Sequence, residues 1–236
     1  MSDTIGTDGN TPPTQGQPAG FFDVDGTLGS TNVVLTYLAF LNHGASTVER
    51  WLNVAAMVPK LPYYMFLDWR SRDRFCEVFY RKYADVSQSE LEDWAEKERG
   101  RYWDSRLYAQ ALQKLSEHKA QGHRVVLVSG GLEPVLKPLA EALGVDALMA
   151  TEPEVNGNHL TGRIVHGPLS GERKAAAMRE LSLKMGIDLE RSYAYGDSYA
   201  DREFLETVGN PVAVNPDRRL KKLAKSRGWP IQNWGH

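Results

Sequence analysis

Cysteine is almost missing from this chain. Cys76 is the only one among 236 residues, which excludes an intrachain disulfide and suits a reducing, cytoplasmic compartment. Net charge is equally slight. Lys and Arg number 28 against 30 Asp and Glu, leaving −2 at neutral pH, so the total carries no electrostatic footprint for nucleic acid. No apolar run reaches membrane length. The richest window, WLNVAAMVPKLPYYMFLDW at 51–69, is interrupted by Pro59, Lys60 and Pro62 and falls short of the roughly 18–20 apolar residues a span requires. Residues 1–19 lack the basic start and apolar centre of a signal peptide; polar and rich in Gly, Pro and Thr, they read as a disordered tail. The six histidines show no HExxH or other ligand spacing, and no repeat is present. An ordinary soluble composition remains, with 25% charged and 42% apolar residues. That is room for one α/β domain and a smaller appendage.

From about residue 105 onward, strand and helix patterns alternate. The spacing of Leu107, Ala111, Leu112 and Leu115 predicts a helix over 105–121, ended by Gly122. HRVVLVSGG is a β-branched run stopped by glycines, as in a strand buried on both faces. Helix 133–143, strand VDALMAT and a hairpin turning on Asn156-Gly157 follow. Helix 172–186, strand SYAYGD, helix 201–207, strand PVAVN and helix 217–227 complete the series. This order implies right-handed crossovers and a parallel sheet covered by helices on both faces. Residues 32–104 break the alternation. They read as helical throughout and hold 14 of the 23 aromatic residues, so they form a helical insert between the first strand and the rest. The aromatics admit two uses, as the insert's own core or as an apolar lid.

Ligands of such sheets bind at the carboxyl ends of the strands, and three strand ends here are polar. The run AGFF ends in Asp23-Val24-Asp25-Gly26-Thr27, the second strand in Ser129-Gly130-Gly131, and a later one in Gly196-Asp197-Ser198, with Asp201 beyond. Asp23 and Asp25 are two residues apart, so an extended strand would aim both charges the same way. A bound cation is the usual remedy. Carboxylates without histidine favour a hard oxygen-seeking ion, Mg²⁺. Ser129, the amides around Gly130 and Lys174 supply donors for phosphate oxygens. An EF-hand calcium loop is excluded, since its sixth and twelfth positions would be Leu28 and Val34. GPLSGERK lacks the GK[ST] of a P-loop.

DVDGT, SGG, an isolated lysine and GDSYAD, in that order, resemble the four motifs of the haloacid-dehalogenase-like phosphohydrolases. The helical insert after the first motif resembles their phosphoserine-phosphatase-like branch. The resemblance covers residues 20–227. It implies a Rossmann-like core over 20–31 and 105–236, with 32–104 as a helical cap, and a Mg²⁺-dependent phosphomonoester hydrolase. Asp23 would be the nucleophile forming an aspartyl-phosphate, and Asp25 the general acid and then base. Thr27, Ser129, Gly130 and Lys174 would hold the phosphoryl group. Mg²⁺ would sit on Asp23, Asp197 and the carbonyl of Asp25, with Asp201 orienting that shell.

Two positions depart from the branch. Phosphoserine phosphatases carry a glutamate nine residues after the nucleophile, where this chain has neutral Asn32; Ala200 replaces a usual asparagine in GDSYAD. Phosphoserine is therefore not the expected substrate, and a small metabolite phosphate or a lipid phosphate stays open. A phosphotransferase using the same intermediate, or a non-enzymatic phospho-ligand binder, are the alternatives. The basic run at 218–227 reads as a solvated helix or as a peripheral contact with anionic lipid. Oligomeric state is not legible.

Overall fold

Phe21 and Phe22 are neighbours in sequence and lie in two different cores, one on each face of a sheet. The computed structural model describes residues 16–235. In chain order these form β1 (Ala19–Phe22), α1 (Val33–Leu41), α2 (Thr47–Met57), α3 (Leu61–Arg70), α4 (Arg72–Tyr80), α5 (Gln88–Trp103) and α6 (Ala109–Ala120). There follow β2 (Arg124–Leu132), α7 (Glu133–Leu143), β3 (Ala147–Thr151), the hairpin β4 (Pro153–Asn156) and β5 (His159–Ile164), and α8 (Gly171–Met185). The chain ends with β6 (Tyr193–Gly196), α9 (Arg202–Leu205), β7 (Asn210–Val214), α10 (Arg218–Arg227) and β8 (Ile231–Gln232).

The main sheet has the order β3-β2-β1-β6-β7-β8, and its strands pair in parallel. Side chains alternate across it. Phe22, Val125, Leu127 and Tyr195 pack on one face with α6 and α7; Phe21, Val126, Val128 and Ala194 pack on the other with α8, α9 and α10. The strand order runs outward from β1 in one direction and from β6 in the other. The gap between their carboxyl ends is thus the switch point of the sheet, where such folds bind ligands.

Helices α1–α5 build a second core from Tyr37, Phe40, Phe75, Phe79, Leu91 and Trp94 among others, which Leu132 of β2 and Val135 of α7 also enter. Leu160 of β5 joins it, and Asp85 N–H donates to the Leu160 carbonyl at 2.9 Å. The hairpin therefore rests on this helical segment. Its turn needs Gly157, whose φ is +62°.

Several expected boundaries move. Ala19 begins β1 and Gln17 bridges to Ile187, so the expected disordered tail does not extend to residue 19; residues 1–15 lie outside the described residues. The helix expected from 105 starts at Ala109, because Arg106 and Leu107 both donate to the Trp103 carbonyl in a turn and Leu107 bridges to Gly29. The helix expected over 201–207 is a 3-10 turn at Tyr199–Asp201 followed by the short α9. Strand β8 was not expected; two residues are too few for a periodic signal.

Candidate active site

The polar strand ends meet at the switch point. Asp23 follows β1 directly, and its N–H continues the sheet by donating to the Tyr195 carbonyl at 3.0 Å. The chain then turns tightly: Gly26 N–H donates to the Gly29 carbonyl and Leu28 N–H to the Val24 carbonyl. Gly26 has φ +83°, and a β-carbon there would collide with the Asp197 carboxylate. Glycine is what allows the loop to approach that carboxylate.

Lys174, in the first turn of α8, is only 2% exposed. Its Nζ lies 2.6 Å from Asp23 Oδ1 and 2.8 Å from Asp201 Oδ1. Burial alone would lower its ammonium, but Asp201 and Asp23 together raise it to about 12. Burial pushes the Asp23 carboxyl up to about 7 against the pull of Lys174, with Asp201 and Asp25 adding to the rise. Burial, then Asp23 and Asp201, raise Asp197 well above the ordinary carboxylate range. One lysine thus faces three carboxylates. Among the described residues, oxygens of Asp23, Asp197 and Asp201 lie within 4.8 Å of one another. This all-oxygen set with an excess of negative charge fits a divalent hard cation.

Asp25 stands apart from that trio. Burial raises its carboxyl, opposed first by the hydroxyl of Thr31, which donates to Asp25 Oδ1 at 2.7 Å. Thr27 Oγ1 is buried and has no hydrogen-bond partner among the described residues, so it can receive or donate to a ligand oxygen. Ser129 lies in an irregular stretch of β2 where the register with β3 shifts. Its Oγ accepts the Gly131 N–H at 3.0 Å, which leaves its own proton available. Gly130 turns its carbonyl away, to Tyr80 Oη at 2.5 Å and Thr151 Oγ1 at 2.9 Å. Asp23, Asp25, Ser129, Gly130, Lys174 and Asp201 line one pocket.

Four residues here carry no sequence motif: Thr31, Arg72, Tyr80 and Asp73. Arg72 opens α4 and lines the same pocket, with Nη1 on Asp68 at 2.9 Å. Asp73 accepts from Ser170 Oγ and lies 3.8 Å from Arg173, tying the helical segment to the start of α8. Asn32 is absent from the pocket. Its Oδ1 accepts from Val34 and Leu35 N–H at 3.0 Å and so caps α1. A second small pocket adjoins the first through Asp25 and Val33 and is lined by Tyr80, Tyr83, Trp103 and Val135.

The model of the haloacid dehalogenase-like hydrolases matches residues 21–206. This chain belongs to that family. It is 43% identical over 125 residues to a "probable phosphatase" of Mycobacterium tuberculosis, which is 53% of this chain and 43% of that protein. The chain spans less than half the length of the curated relatives it matches at this level. With the histidinol-phosphatase of Neisseria meningitidis it shares 25% identity over 221 residues, 90% of this chain and 97% of that one. A solved phosphoserine phosphatase, trapped with an analogue of its phospho-aspartyl intermediate, superposes with a TM-score of 0.66. It is 18% identical and covers 92% of this chain and 93% of its own, a likeness of fold.

Proposed function

We propose that this hydrolase-family chain is a Mg²⁺-dependent phosphatase acting on a small phosphorylated metabolite through an aspartyl-phosphate on Asp23. The observation that carries the reading is Lys174 Nζ, buried and held 2.6 Å from Asp23 Oδ1. A buried lysine there fixes one carboxylate oxygen and leaves a cationic group beside any phosphoryl oxygen that approaches the other. Asp23 attacks phosphorus, and Asp25, held by Thr31, protonates the leaving oxygen and then takes a proton from water. Thr27, Ser129, the amides at Gly130 and Lys174 hold the phosphoryl oxygens. Asp23, Asp197 and the Asp25 carbonyl would hold Mg²⁺, oriented through Asp201; when bound it supplies charge neutralisation for the phosphoryl group. A phosphotransferase differs only in the acceptor that replaces water.

The leaving group's surroundings support a choice of ester. Tyr80, Tyr83 and Trp103 line the pocket beside Asp25, while Tyr37, Phe40, Phe75, Phe79 and Trp94 pack inside the helical segment and Trp51, Tyr63, Phe66 and Trp69 are exposed. Asn32 is occupied as a cap and is neutral, and the Arg72 guanidinium is paired with Asp68. The serine ammonium and carboxylate thus have no free partner of the right charge in these positions. An apolar or aromatic moiety suits the pocket; histidinol phosphate, the ester named by the Neisseria relative, lacks the serine carboxylate and adds an aromatic imidazole but keeps the ammonium, whereas benzyl phosphate carries neither charge. Each pocket has room for about 20 Å³, little more than one water. Substrate entry therefore requires α1–α5 to part from the sheet, in the manner of a cap.

The test is a side-by-side comparison of histidinol phosphate, benzyl phosphate and phosphoserine, each with Mg²⁺ and with excess chelator. Both aromatic esters should exceed phosphoserine in kcat/KM by at least about tenfold, since each buried methylene contributes up to roughly 0.8 kcal/mol. Turnover should vanish with chelator. A preference for phosphoserine would show that Arg72, not the aromatic pocket, sets specificity.

A further inference from the structure

Ten of the twelve large apolar side chains exposed among the described residues come from residues 35–69; Val165 and Leu183 are the others. Nine of the ten lie in α2, α3 and the turn between them. Trp51 is 72% exposed, Met65 70% and Trp69 65%, while Met57 and Tyr64 are the only buried positions of these two helices. A soluble surface rarely leaves so much contiguous apolar area to water without a use. The patch runs to the mouth of the active site. The Phe66 ring lies 6.4 Å from that of Trp69, and Trp69 joins Arg70, Arg72, Arg202 and Arg219 around a cleft of about 230 Å³. That cleft shares Arg72, Ser198 and Ala200 with the catalytic pocket.

We propose that the α2–α3 arm docks this protein on an anionic lipid bilayer, with the mouth of the active-site cleft at the headgroup level. Three observations choose this occupant. The exposed set is rich in Trp, Tyr, Phe and Met, and the amphipathic aromatics among them settle where hydrocarbon meets water. The exposed apolar positions of α2, and likewise of α3, fall in one sector of nearly half the helix's circumference at 3.6 residues per turn, the amphipathic form that lies along a membrane interface. Charge leaves a small positive surplus. Arg50, Lys60, Arg70 and Arg219 make no ion pair among the described residues, against Glu49 and Asp217, whose carboxylates cap α2 and α10, while Asp68 and Glu203 are taken up by Arg72 and Arg202. Two copies meeting face to face would oppose these unpaired cations, and anionic headgroups would neutralise them. The inference holds whichever ester is hydrolysed.

Sedimentation of the full chain with vesicles of phosphatidylcholine alone, or mixed with phosphatidylglycerol, tests it. At low ionic strength the mixed vesicles should carry down about tenfold more protein than the neutral ones, with the excess lost as salt screens the headgroups. Trp51→Ser combined with Phe66→Ser should abolish sedimentation without changing circular dichroism or p-nitrophenyl phosphate turnover. Arg50→Gln combined with Lys60→Gln should cut the preference for the anionic vesicles severalfold, Arg70 and Arg219 holding the remainder. No sedimentation with either vesicle would overturn the proposal, as would equal binding to both. So would a dimer in solution that the Trp51 and Phe66 replacements dissociate.

Discussion

Lys174 shows how single side chains set this site. It is nearly inaccessible, and its charge is sustained chiefly by Asp23 and Asp201, with the Phe204 ring 4.5 Å from its Nζ. Removing one partner of a buried ion pair strands the other, typically at about 3–5 kcal/mol. Replacing Lys174 by methionine would therefore confuse folding with chemistry, and Thr31 is the better probe of catalysis. Its hydroxyl contacts Asp25 alone among the described side chains and favours the ionised carboxylate. Thr31→Val keeps the shape and removes that bond. A hydrogen bond to a charged group is worth roughly 1.5–3 kcal/mol, so kcat should fall at least about tenfold, with Tm lowered by several degrees and circular dichroism unchanged. The limb of the kcat pH profile that reports Asp25 should move to higher pH. Unaltered kcat and profile would show that Thr31 does not position the acid.

Elements were legible in the sequence where periodicity was long. Helix α7 begins and ends at the expected residues because Pro134 suits its first turn and Gly144 adopts the left-handed C-cap, φ +57°. The polar strand ends were legible as well, since Asp23, Ser129 and Asp197 follow apolar runs and the sheet brings such ends together. Thr31, Arg72 and Tyr80 were not. Arg72 and Tyr80 reach the site from the helical segment, and Thr31 from the loop between β1 and α1, through packing that no spacing encodes. Asn32 was legible by position but not by role: its side chain belongs to α1. Asn32→Ala should cost about 0.5–2 kcal/mol, typical for a lost N-cap, seen as a lowered Tm. Asn32→Glu should lose the same cap without conferring phosphoserine turnover. A stable glutamate variant that gains phosphoserine activity would return this position to the substrate.

Across the whole molecule, a buried polar knot joins α6 to the sheet on the side away from the charges of the site. His118 is 3% exposed; its Nε2 meets Tyr195 Oη at 2.9 Å and its Nδ1 meets His123 Nδ1 at 2.9 Å. Burial, then the neighbouring His123 and Lys114, lower its imidazole to about 4. The folded state therefore holds His118 neutral, whereas the unfolded chain takes up its proton near pH 6.5. This stabilisation is complete above pH 6.5 and is lost as pH falls through that value toward 4. The loss is at most about 3 kcal/mol for a shift of this size. Tm should decline over this window, and His118→Gln should flatten the decline while lowering Tm at pH 7.5. An identical pH slope in the variant would remove His118 from the acid response.

The central claim is that Asp23 carries the phosphoryl group. Borohydride reduces an acyl phosphate to an alcohol, which would turn a phosphorylated aspartate into homoserine. Quenching the protein with borohydride during turnover of benzyl phosphate with Mg²⁺, followed by peptide mass spectrometry, tests this directly. Homoserine is expected at position 23, dependent on both substrate and metal. Turnover with position 23 unmodified, or with the reduction at Asp25 or Asp197, would contradict it.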